Sequence, residues 1–178
     1  KWVVVEQNLI TDNTAISNLW PKGGGMAIAY CNTRICNNTV TYNTVLANSD
    51  SMVAAAGGVW YSCDVGFPDS VIISGNIIQY NKVEQFSTNS DGTAGAGLCM
   101  YGAYGQTTRA LVKNNVISDN ELNAVSIAFG CGVALVNCHS VDFSQNEIYN
   151  NIVDADICFG GGLCIWNNHP IVSRNLIY

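Results

Sequence analysis

Asn115-Val116-Ile117-Ser118-Asp119-Asn120 belongs to a series, and the series decides the fold. The same Asn-x-(Ile/Val)-x-x-Asn pattern reads Asn8-Leu9-Ile10-Thr11-Asp12-Asn13, Asn38-Thr39-Val40-Thr41-Tyr42-Asn43, Asn76-Ile77-Ile78-Gln79-Tyr80-Asn81 and Asn146-Glu147-Ile148-Tyr149-Asn150-Asn151. A sixth copy, Asn175-Leu176-Ile177-Tyr178, stops short of its second asparagine. The first asparagines, at positions 8, 38, 76, 115, 146 and 175, lie 30, 38, 39, 31 and 29 residues apart. A repeat of roughly thirty residues marks a solenoid, in which each unit buries its apolar side only against its neighbours.

Working outward, a glycine-rich lead-in precedes each later motif. Its copies are Gly23-Gly24-Gly25-Met26-Ala27-Ile28, Gly57-Gly58-Val59-Trp60-Tyr61, Gly95-Ala96-Gly97-Leu98-Cys99-Met100, Cys131-Gly132-Val133-Ala134-Leu135 and Gly160-Gly161-Gly162-Leu163-Cys164-Ile165. A large apolar residue follows the glycine and another comes two positions later, the alternation of a strand with one buried face. Aligned, the copies give inward columns Met26, Val59, Leu98, Val133, Leu163 and Ile28, Tyr61, Met100, Leu135, Ile165. Three more columns flank the Asn motif. Ile35, Ile73, Val112, Phe143 and Val172 precede it, and Ile10, Val40, Ile78, Ile117, Ile148 and Ile177 lie inside it. Ala15, Val45, Val83, Leu122 and Val153 follow it.

Equivalent positions recur once per repeat and hairpin signals are missing, so the expected architecture is all-β: a right-handed parallel β-helix solenoid of about five rungs. The Leu-x-x-Leu-x-Leu spacing of leucine-rich repeats does not occur. The whole chain, residues 1–178, reads as one domain, with long loops expected at Thr44–Ala56 and Lys82–Ala94 of the second and third rungs. Asparagine tolerates the left-handed conformation at a corner. Stacked at about 4.8 Å, the amides of Asn8, Asn38, Asn76, Asn115, Asn146 and Asn175 are expected to form a ladder. Their role is structural.

Composition narrows the function. Hydrophobic residues make up 48 % of the chain and charged ones 11 %, so polarity comes from Asn, Ser, Thr and Gly. A net charge of −6 with seven scattered Lys and Arg leaves no basic stripe for nucleic acid. No apolar run approaches the roughly 18 residues of a membrane-spanning helix. Neither end carries a polar rung or an amphipathic helix to cap the stack, which suggests a piece of a longer solenoid or ends covered by a partner.

The block from Gly160 to Ile177, with Gly160-Gly161-Gly162-Leu163 leading to Pro170-Ile171-Val172-Ser173-Arg174-Asn175-Leu176-Ile177, resembles the right-handed parallel β-helix repeat of the pectate-lyase-like superfamily. More closely, it looks like the Gly-Gly-Gly-Ile…Pro-x-Ile-x-x-Asn-x-Ile repeats of large secreted surface proteins. The resemblance covers almost the whole chain and is specific for fold, not activity. It implies an extracellular or cell-surface setting, rich in carbohydrate.

Candidate chemistry is sparse. Polysaccharide lyases of this fold pair an Arg or Lys base with calcium-holding carboxylates. Asp12 and Asp119 are three rungs apart, and Asp154 with Asp156 offers a calcium pair that reads more simply as a solvated turn. The Asn-Thr-Asp, Asp-Asp, Gly-His-Gly and Arg-Ile-Lys blocks of the fold's glycosidases do not occur. His139 and His169 come at the same corner of adjacent rungs, with Cys138 beside them, as a candidate metal or acid–base cluster weighed against chance stacking. No cofactor is called for. Cys31 and Cys63 align in neighbouring rungs as a candidate disulfide, or as buried thiols. Asn37 begins an Asn-x-Thr sequon.

The outward positions of the glycine-led strand, Ala27, Trp60, Cys99, Ala134, Cys164 and Ala29, Ser62, Tyr101, Val136, Trp166, form an uncharged apolar face. Such a face suits a protein interface. The leading expectation is therefore a non-catalytic structural or adhesive solenoid that associates with copies or partners. The alternative is a carbohydrate-active or sugar-binding protein, such as a polysaccharide lyase, hydrolase or epimerase, with Trp60, Tyr101 and Trp166 as sugar platforms.

Overall fold

The computed structural model describes residues 2–48, 54–62, 70–86, 92–102, 109–138, 140–167 and 169–178. All regular structure among them is β, in five parallel sheets, an arrangement consistent with a β-helix-like solenoid. The first sheet orders Trp2–Glu6, Asn32–Cys36, Ser70–Ser74, Arg109–Lys113, Ser140–Ser144 and Ile171–Ser173 side by side. The second holds the Asn-motif strands: Leu9–Thr11, Thr39–Thr41, Ile77–Gln79, Val116–Ser118, Glu147–Tyr149 and Leu176–Ile177. Thr14–Ser17, Thr44–Ala47, Lys82–Gln85, Glu121–Ala124 and Ile152–Asp154 form the third. The fourth contains Ala54–Ala55, Thr93–Ala94, Ile127–Phe129 and Ile157–Phe159. The glycine-led strands Met26–Ala29, Val59–Ser62, Leu98–Tyr101, Val133–Val136 and Leu163–Trp166 make the fifth.

Pairing follows the repeat. Ile78 lies between Val40 and Ile117, Ile73 between Ile35 and Val112, Val83 between Val45 and Leu122, and Leu98 between Val59 and Val133. A one-residue slip would turn each whole column outward, so the alternation fixes the register. The main core gathers side chains of the first, second and fifth sheets, including Ile35, Ile73, Ile78, Met100, Ile117, Phe143 and Ile148. Tyr61 is also buried there, and its hydroxyl donates to the Cys31 carbonyl at 3.2 Å. A second core, with Val45, Val83, Leu122, Ala128 and Cys131, lies under the third and fourth sheets.

Two expectations need correction. Thr44–Ala56 and Lys82–Ala94 are not wholly projecting loops. Thr44–Ala47 and Lys82–Gln85 are strands of the third sheet, and Ala54–Ala55 and Thr93–Ala94 belong to the fourth. Their alternating Thr-Val-Leu-Ala and Lys-Val-Glu-Gln patterns put Val45 and Val83 inside, and burial holds them in the ladder. Residues 49–53 and 87–91 lie outside the described part of the chain.

The ladder asparagines, moreover, are not the left-handed corner residues. That conformation belongs to the residue just before each one. Gln7, Asn37, Gly75, Asn114, Gln145 and Arg174 precede the first asparagines, and Asp12, Tyr42, Tyr80, Asp119 and Asn150 precede the second, all with φ between 51° and 66°. The sharp turn there delivers the next side chain, the asparagine, into the stack.

Candidate functional site

Each motif contributes two asparagines, and both form columns of hydrogen bonds. In the first column Asn38 Nδ2 donates to Asn76 Oδ1 at 3.0 Å, and Asn76 Nδ2 to Asn115 Oδ1 at 2.9 Å. Asn115 continues to Asn146, and Asn146 to Asn175. Each Oδ1 also accepts the backbone N–H of the asparagine before it, as Asn76 Oδ1 does from Asn38 at 3.0 Å. From the second pass on, each Nδ2 spends its remaining hydrogen on a carbonyl of the preceding pass, as Asn76 does on Ile35 at 2.9 Å, whereas Asn8 and Asn13 bond to the Glu6 and Thr11 carbonyls of their own pass. The second column runs Asn13, Asn43, Asn81, Asn120, Asn151 with the same geometry. Buried amides thus have their hydrogen-bonding capacity met, the condition on which burying them is tolerable.

The face expected to be open is half covered. In the first outward column of the fifth sheet, Cys99, Ala134 and Cys164 are buried, Trp60 is half-buried and Ala27 is exposed. Cys99 and Ala134 join Ala55, Ala56 and Ala94 in a small outer core, with Trp60, Phe129 and Val136 packed against it. The cause lies just before the strand: Gly23, Ala56, Gly95, Gly130 and Gly160 have positive φ, and this turn brings the end of the fourth sheet over the column. A Cβ on Gly130 would lie 2.8 Å from Cys164 Cβ.

Trp60, Tyr101 and Trp166 are thus divided between two columns. Tyr101 and Trp166 share the second outward column with Val136 between them, two strand spacings or about 9.6 Å apart. Trp60 lies in the covered column, with Lys22 Nζ 4.7 Å from its ring centroid. Burial pushes the Lys22 amine below its usual range. Trp166 packs edge-on against Phe129 at 5.4 Å and Phe159 at 5.9 Å, and these two rings stack at 5.3 Å. Phe129 and Phe159 are the aromatics missed in the sequence. Their signal was the matching Ile127-Ala128-Phe129 and Ile157-Cys158-Phe159, 30 residues apart and in register.

Elsewhere the candidates disperse. Asp154 ends a strand of the third sheet, Asp156 lies in the turn after it, and both are exposed. His139 is outside the described residues, as is Cys63, so neither the histidine pair nor the Cys31–Cys63 pair can be placed. Cys31 Sγ lies 3.4 Å from Thr33 Oγ1. Among the described residues no three His, Cys, Asp or Glu side chains gather as a metal site. On the third sheet Lys82 Nζ bridges Glu84 at 2.7 Å and Glu121 at 3.3 Å. The Glu121 carboxyl is held below its usual range by the Asn123 amide first and by Lys82 in addition.

A groove that no sequence pattern announced lies on the outer face of the first sheet. It encloses about 570 Å³. Ile72, Leu111 and Ile171 supply apolar surface, while Arg109, Asp142 and His169 supply charge and hydrogen-bonding groups. Arg109 sits in register between Ser70 and Ser140, and Asp142 between Leu111 and Ile171. The strands that carry these residues are built by the buried columns on their other face. No family model, no curated protein and no solved structure gives a significant match to this chain.

Proposed function

We propose that this chain is a segment of about five rungs of a right-handed parallel β-helix, with long inserts in the second and third, from a secreted or cell-surface protein. Its role is structural or adhesive. It joins copies of itself, or partner solenoids, through the aromatic face where the fourth and fifth sheets meet. One observation carries this reading: among the described residues no strand of either sheet contains a charged residue, Lys22 standing over Trp60 at the edge, while Tyr101, Phe159 and Trp166 remain 44 %, 42 % and 47 % exposed. A face whose strands lack charge and whose rim is aromatic has the composition of an interface centre. The paired ladders make the column stiff enough to present that face as a fixed surface.

Light scattering of the wild-type chain and of Trp166→Ser tests the reading. Concentration-dependent association of the wild type, lost or weakened at least tenfold in the variant, is expected. A wild-type chain that stays monomeric at high concentration would overturn it. A second reading, carbohydrate binding, is favoured by the first-sheet groove, where an apolar floor meets Arg109, Asp142 and His169. Binding of neutral or acidic polysaccharides that Arg109→Ala abolishes would favour this second reading.

A further inference from the structure

The left-handed corner before the second asparagine column runs Asp12, Tyr42, Tyr80, Asp119, Asn150. Asp and Asn visit this conformation readily, whereas for a bulky aromatic it is an outlier. Tyr42 and Tyr80 nevertheless both adopt φ of 56° on adjacent passes. Their rings stack with centroids 5.1 Å apart and planes 9° from parallel, and the residues are 57 % and 47 % exposed. The matching corners deliver both tyrosines to the same edge of the stack on adjacent passes. Two passes further along, on the outer face of the second sheet, Tyr149 and Tyr178 stack at 5.3 Å and 8°. The stacks present ring edges, not faces, to the side, which makes them poor platforms for a planar or pyranose ligand. What they do offer is two phenols held at the spacing of neighbouring strands and open to solvent.

We propose that Tyr42–Tyr80, and by the same geometry Tyr149–Tyr178, are sites of oxidative dityrosine cross-linking between adjacent passes of the solenoid. The co-reactant is a peroxide acting through a one-electron oxidant such as a haem peroxidase. Each phenol gives up one electron and its hydroxyl proton, and the two phenoxyl radicals couple through their ortho carbons. The two ortho hydrogens then shift, as protons through solvent, to the phenolic oxygens, which restores both aromatic rings and both hydroxyls. Two tyrosines and one hydrogen peroxide thus become one dityrosine and two waters. The asparagine column beside the corner holds the two passes at fixed spacing, with Asn43 Nδ2 bonded to Asn81 Oδ1 at 3.0 Å. Coupling therefore needs only rotation of exposed side chains. The product is a covalent staple across one rung spacing, placed where the buried thiols could not supply a disulfide without opening the core.

The test treats the chain with a haem peroxidase and hydrogen peroxide at several protein dilutions, followed by dityrosine fluorescence and peptide mapping. A linked peptide pair containing Tyr42 and Tyr80 is expected, lighter by two hydrogens than its separate halves and formed in a yield independent of dilution. Tyr42→Phe and Tyr80→Phe each eliminate that species, while Tyr30→Phe, at another exposed corner, leaves it intact. Phenylalanine keeps the ring stack, and circular dichroism confirms that the variants fold. Linked pairs that form only between molecules, or a Tyr42–Tyr80 species no more abundant than random tyrosine pairs, would overturn the proposal.

Discussion

Gly97 and Asn120, one from each of the two recurring sequence landmarks, lie against each other in the folded chain. A Cβ on Gly97 would stand 2.9 Å from Asn120 Nδ2, 2.8 Å from Ile117 Cγ2 and 2.6 Å from the Gly132 carbonyl oxygen. The same contact recurs between Gly25 and Asn43, Gly58 and Asn81, and Gly132 and Asn151. The glycine-rich lead-in and the asparagine motif recur together because one leaves room for the other.

This contact sets up a paired test. Gly97→Ala should cost about 1–3 kcal/mol, because the crowding atoms include fixed backbone. Gly161→Ala meets nothing nearer than 3.7 Å and needs no positive φ. It should be neutral or stabilise by up to about 1 kcal/mol through the unfolded chain. Urea unfolding of both variants measures the contrast, and equal effects would show that the glycine contact is not what matters.

Asn76→Ala removes the centre of the first ladder. It takes their partner from the Ile35 carbonyl, the Asn38 backbone N–H and one Asn38 Nδ2 hydrogen, all at buried positions, while Asn115 Oδ1 keeps the backbone N–H of residue 76. At about 1–3 kcal/mol for each buried group left unpaired, a loss of at least about 3 kcal/mol is expected. Asn8→Ala, at an exposed position of the same column, should cost about 1 kcal/mol or less. Denaturant midpoints for the two variants decide whether the ladder stabilises through its buried members.

Burial pushes the Cys99 and Cys131 thiols from 9.0 up to about 12. Above pH 9 the unfolded chain loses those protons while the folded chain keeps them. The unfolded state then binds fewer protons, so stability is fully present below pH 9 and falls as pH rises towards 12. Lys22 is shifted the opposite way, so the wild-type slope is a net value. Cys99→Ala should therefore flatten the alkaline decline relative to wild type, read from unfolding midpoints across that window. Alkylation of the folded chain at pH 8 should label exposed Cys158 well before Cys99 or Cys131.

Lys82→Met leaves Glu84 and Glu121 without their shared cation. All three side chains are partly solvated, so the expected cost stays under about 1 kcal/mol and changes with added salt. Unfolding at low and high ionic strength checks it. A large, salt-independent loss would mean that the Lys82 stem matters by packing instead.

Much of the fold was legible because its signal is periodic. The five inward columns read from the sequence are the columns that pair, Ile10 through Ile177 in the second sheet and Met26 through Leu163 in the fifth among them. The candidate surface was legible only in part. The lack of charge in its strands could be read directly, but two-residue strands such as Ala54–Ala55 and Thr93–Ala94 are too short to show alternation, so only the matching Ile127–Phe129 and Ile157–Phe159 could have signalled the fourth sheet. Missed with it were the covering of Cys99 and Ala134 and the aromatic contacts of Trp166.

By itself, then, the sequence determined what repeats, at what interval, and which side of each strand faces inward, because burial of alternate residues is a local property carried by every copy. The tertiary structure decided which outward faces stay open. It put the left-handed turn one residue before each ladder asparagine, the end of the fourth sheet over the fifth, and Tyr42 on Tyr80. Those outcomes depend on the sign of φ at a few corners and on contacts between passes some thirty to forty residues apart, which no local pattern encodes.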